Sequence, residues 1–151
     1  SPALRLGFVV VPCELVPRFA ETVMCLAPAP GPAVQHAIRE FMRDGHYMRH
    51  LRRMKRVYTA RSEALRAALA SRGYTAEAGG LAVLLRLPEG VADTAIAQEA
   101  RAEGLAPAPL STWFSPTGAK ESGVLLGVAT ASEDRIDDAC DRLHRLITKF
   151  S

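Results

Sequence analysis

The stretch RDGHYMRHLRRMKRVYTAR, Arg43 to Arg61, decides how the chain is organised. It carries seven Lys or Arg (Arg43, Arg49, Arg52, Arg53, Lys55, Arg56 and Arg61) against one acid, Asp44. Apolar positions recur through and around it, at Ile38, Phe41, Met48, Leu51, Tyr58, Leu65 and Leu69, with the gaps of one helix face. Gly45 fills the missing place in that row. The pattern starts at Val34 and stops at Ser71–Tyr74, where Gly73 is a natural C-terminal cap. One unbroken helix from Val34 to Arg72 would be ~55–60 Å long at ~1.5 Å per residue. A domain of this size is only about 40 Å across. Either the helix breaks near Asp44–Tyr47, or it lies along a body that these residues do not include.

The net charge of the chain is +3, while the basic stretch alone is +6, so the remainder sums to −3. The basicity is local and does not by itself imply a nucleic-acid partner. With 151 residues, 48% hydrophobic and 23% charged, the composition is that of one globular domain or a piece of a larger protein. No apolar run approaches the roughly 20 residues of a membrane span. Cys13, Cys25 and Cys140 are odd in number and lack C-x-x-C spacing, which points to buried free thiols in a reducing cytoplasm rather than a disulfide framework.

Upstream of the stretch, Leu4–Val11 (LRLGFVVV) has the apolar, β-branched character of a buried strand stopped by Pro12. Leu15, Phe19, Val23 and Leu26 have helical spacing, with Pro17 acceptable in a first turn. APAPGPA, Ala27–Ala33, is a hinge or turn. Downstream the signals alternate. GGLAVLLRLPEG is a strand, ADTAIAQEARAEG a short helix with Asp93 as candidate cap and Gly104 as stop, and LAPAPLSTWF is extended. SPTGAKES is a loop and GVLLGVAT a further strand. SEDRIDDACDRLHRLITKF is an amphipathic helix with Ser132 as candidate N-cap, its acids early and its bases late, as the helix dipole favours. The C-terminal half is therefore expected to be a βαββα layer of sheet and helices.

Self-sufficient chemistry is not visible. His46 and His50 are spaced i, i+4, but no third ligand accompanies them, so a packing role outweighs metal binding. There is no G-x-S-x-G, P-loop or G-x-G-x-x-G. A solvated face is the plain interpretation of Arg49, Arg52, Arg53 and Arg56. The Pro-rich segment sits where a helix-turn-helix would need its first helix. Arg5, just before an apolar strand and followed by Gly7, suits a phosphate held by a guanidinium, or a local carboxylate.

PALRLGFVVVP, GHYMRHLRRMKRVYTARSEALRAAL, GGLAVLLRLPEG, PAPLSTWF and GVLLGVATASEDRIDDACDRL together resemble the C-terminal part of MocR/GabR-type transcriptional regulators of the GntR family. The resemblance covers nearly the whole chain. It implies a bacterial, cytoplasmic parent protein with an N-terminal winged-helix DNA-binding domain and a body like a class I/II, fold type I aminotransferase that binds pyridoxal phosphate. The fold class it implies is α/β, more closely α+β, with three parts. Residues 1–33 would end the large cofactor-binding domain with its last strand and helix, 34–73 would be a long basic linking helix, and 74–151 the small C-terminal subdomain.

The same resemblance makes Arg5 the cofactor-phosphate ligand. It places the Schiff-base Lys upstream of residue 1, so no catalytic residue is expected here and the fragment should not retain the cofactor. The parent's expected partners are a second copy, DNA through the N-terminal domain, and an amine or amino-acid effector. A PLP-dependent class I/II aminotransferase cut at the same place is the alternative. Two departures stand out. Ala82 replaces a frequent His, and Val124, Leu125 and Leu126 stand where aminotransferases carry an Arg for the substrate carboxylate. Ordinary transamination is thereby put in question.

Overall fold

The computed structural model describes residues 6–26, 30–88, 90–115, 121–130 and 132–150. A 3-10 turn at Cys13–Leu15 leads into α1 (Val16–Leu26), α2 (Pro32–Arg43) and α3 (His46–Ala70). Strands β1 (Ala76–Gly79) and β2 (Ala82–Arg86) follow, then α4 (Asp93–Ala102) and β3 (Ala108–Pro109). A 3-10 turn at Leu110–Trp113, strand β4 (Gly123–Gly127), a 3-10 turn at Glu133–Arg135 and α5 (Ile136–Phe150) complete the chain.

Glycines settle where the long helical stretch breaks and stops. Gly45 takes φ 74, a left-handed conformation that an L side chain adopts only at a cost, and its N–H bonds the Met42 carbonyl at 3.1 Å. The helix therefore breaks at Asp44–Gly45, resolving the conflict of lengths in favour of two helices. At the other end Gly73 has φ 85. Its N–H bonds the Ala70 carbonyl (3.0 Å) and the Tyr74 N–H bonds the Leu69 carbonyl (3.1 Å), the paired bonds of a Schellman cap. Gly104 closes α4 the same way, through Gly104 N–H to Arg101 and Leu105 N–H to Ala100.

The chain divides into two units, Ser1–Arg52 and Arg53–Ser151. In the first, no described residue is buried. Residues 6–12 form no strand, contrary to expectation, and Phe8, Val9 and Val10 are 79%, 74% and 87% exposed. An apolar sequence becomes a strand only when neighbours satisfy its N–H and C=O groups, and no strand among the described residues pairs with it. Leu4 and Arg5 lie outside the described residues. Pro17 does sit in the first turn of α1, and Pro32 opens α2 at its first position. Cys13 and Cys25 are exposed rather than buried, because this unit has no interior to receive them.

The second unit holds the core. Its sheet has the order β1-β2-β4-β3, antiparallel throughout. Val83 and Leu85 of β2 and Val124 of β4 are fully buried. Leu65 and Leu69 of α3, Ile96 of α4, and Ile136, Cys140, Leu143 and Ile147 of α5 join them in one cluster. Each large side chain in that cluster contributes about 1.5–3 kcal/mol by leaving water. Strand β1 was not visible in the sequence. AEAG has neither alternation nor β-branched residues, and its cue is the glycine pair, with Gly80 at φ 60 turning the chain into β2.

Candidate functional site

Polar order in the second unit collects at the start of α4. Asp93 is the first residue of this helix, not its N-cap; Ala92 holds that position. Its side chain is buried, with 3% exposure. One carboxylate oxygen accepts the Ser111 N–H (2.7 Å) and the Gly123 N–H (3.3 Å), and the other accepts the Ser111 hydroxyl (2.6 Å). Burial pushes this carboxyl up, but the donors from Ser111, Gly123 and Thr94 outweigh it and leave the pKa below the ordinary value. No His joins Ser111 and Asp93, so the pair positions backbone rather than activating a nucleophile. At Gly123 a Cβ would sit 2.9 Å from the Leu85 carbonyl oxygen, so glycine lets β4 and β2 approach.

The β4 residues in the position of the aminotransferase Arg are placed plainly. Val124 is in the core, while Leu125 and Leu126 are half-buried on opposite faces of the sheet. Leu125 pairs with Leu84, and Ala82 pairs with Gly127 on the same face. Arg86, also on that face, is engaged by Glu77 at 3.0 Å and by Glu121. None of the three β4 side chains can hold a carboxylate.

The basic stretch divides in the same way as the chain. In the first unit Arg43 pairs with Glu40 and Asp44, and His46 stacks on Phe41 with ring centroids 5.7 Å apart. Arg49 and Arg52 are exposed there, and Arg53, Lys55 and Arg56 are exposed in the second unit. Arg61 instead caps the chain beyond β4, donating to the Ala129 carbonyl at 2.7 Å. Arg72 binds Asp141 at 2.7 Å and Asp137 at 3.4 Å, tying the end of α3 to α5. Ser132 occupies the expected capping position, yet its hydroxyl accepts from Arg135 Nε (3.0 Å) rather than from a helix N–H.

Among the described residues no His, Cys, Asp and Glu cluster is arranged for a metal ion, and no helix is long and apolar enough to cross a membrane. The described lysines do not form a pocket for an aldehyde cofactor, since Lys55 is exposed on α3 and Lys149 pairs with Glu99 on the surface. Arg5 lies outside the described residues.

No family model matches the chain. Similarity to individual proteins is extensive. A probable rhizopine catabolism regulatory protein MocR of Rhizobium meliloti is 31% identical over 136 residues, which is 85% of this chain and 27% of that protein. An HTH-type transcriptional regulator YhdI of Bacillus subtilis (strain 168) is 30% identical over 140 residues, 89% of this chain and 30% of that protein. The α-aminoadipate aminotransferase LysN of Thermus thermophilus superposes with a TM-score of 0.85 at 25% identity, over 99% of this chain and 39% of that one. The chain is similar over most of its length to MocR-type regulators, and it shares the fold of the matching part of fold type I aminotransferases. This aminotransferase-like chain spans less than a third of the curated regulators' length. The LysN structure is complexed with N-(5'-phosphopyridoxyl)-L-leucine.

Proposed function

We propose that these 151 residues are the C-terminal part of a pyridoxal-phosphate-binding effector module in a bacterial, cytoplasmic transcriptional regulator. The observation that carries this is the match to MocR over 85% of the chain, at an identity above that to the solved aminotransferase. In this proposal residues 1–33 end the cofactor-binding domain, 34–73 link it to the small subdomain, and 74–151 form that subdomain. Arg5 holds the cofactor phosphate, and a Lys preceding Ser1 holds the cofactor covalently. The cofactor supplies an electrophilic carbon that an amine or amino-acid effector can engage, and that event is relayed to a DNA-binding domain. The absence of an Arg among Val124, Leu125 and Leu126 supports a sensor over an ordinary transaminase. A homodimer and an N-terminal winged-helix domain complete the picture.

The test pairs this chain with the full-length natural protein on DNA from its own promoter region. The full-length protein should bind, while the chain alone should give no shift at moderate salt. Tight, salt-sensitive binding by the chain itself would overturn the solvated-face interpretation of Arg49, Arg52, Arg53 and Arg56 and the placing of DNA recognition in a separate N-terminal domain. A PLP-dependent aminotransferase is the second reading, favoured by the LysN superposition. Full-length protein that exchanges amino groups between amino and keto acids, without binding DNA, would establish it.

A further inference from the structure

We draw no further inference here: the strongest candidate, the apolar face of the sheet around Leu84 and Leu125, opposite the core cluster, carries nothing because nothing in the structure shows what covers it.

Discussion

Asp93 joins the first turn of α4 to the 3-10 turn after β3 and to the first residue of β4. Replacing it by Ala strands the Ser111 and Gly123 donors, and should destabilise the chain by about 2–4 kcal/mol in urea unfolding. Its carboxyl titrates lower in the folded chain than in the unfolded one. The stability it lends is therefore full above the unfolded Asp value of about 4 and drains away as pH falls through the folded value. Asp93→Asn should flatten that acid limb while lowering stability at neutral pH, as measured by thermal melts across about pH 2–7. Gly123→Ala should cost about 1–3 kcal/mol, since the added methyl meets the Leu85 carbonyl oxygen rather than a side chain that can move aside. The sequence reveals Gly73 and Gly104 as caps, because a cap is local and its cue lies next to it. Asp93 reads only as a helix start, because the groups it binds are 18 and 30 residues away.

Elements with a strong period were legible and those without one were not. Helix α5 buries Ile136, Cys140, Leu143 and Ile147 at i, i+4, i+7 and i+11, the spacing its sequence announces. Strands β2 and β4 follow from short apolar runs bounded by glycine. Strand β1 has no pattern of its own and exists because β2 offers it a ladder. The Leu4–Val11 segment errs in the opposite direction, with strand composition but no strand over its described residues. The break at Gly45 is local and visible, yet only the length conflict made it necessary. Gly73→Ala tests the same physics at the end of α3. The left-handed conformation should cost about 1–2 kcal/mol, and the loss should appear in the unfolding midpoint because Leu65 and Leu69 of that helix belong to the core.

At the scale of the whole molecule, the two units differ in kind. Residues 53–151 contain every buried side chain described, and residues 6–52 contain none. Limited trypsin digestion should therefore remove the first unit at Arg49, Arg52 or Arg53 and leave a resistant second unit. Apolar side chains left in water, such as Phe8, Val10, Met24 and Leu26, should drive self-association of the chain. Light scattering that shows a concentration-independent monomer would count against this. The candidate cofactor site was legible only through resemblance, since one arginine beside an apolar run carries little chemistry alone, and Arg5 lies outside the described residues. The grouping of Leu65, Leu105, Leu126 and Leu143 beside α5 was not legible at all, because these residues come from four separate stretches of the chain.

The natural protein from which these residues come can be captured with an antibody raised against residues 74–151 and its intact mass and peptides measured. A parent regulator predicts a polypeptide several times longer than 151 residues, with a winged-helix segment and a cofactor-bearing lysine ahead of Ser1. A natural protein with the 16.3 kDa mass of this chain, and no peptide beyond it, would contradict the assignment.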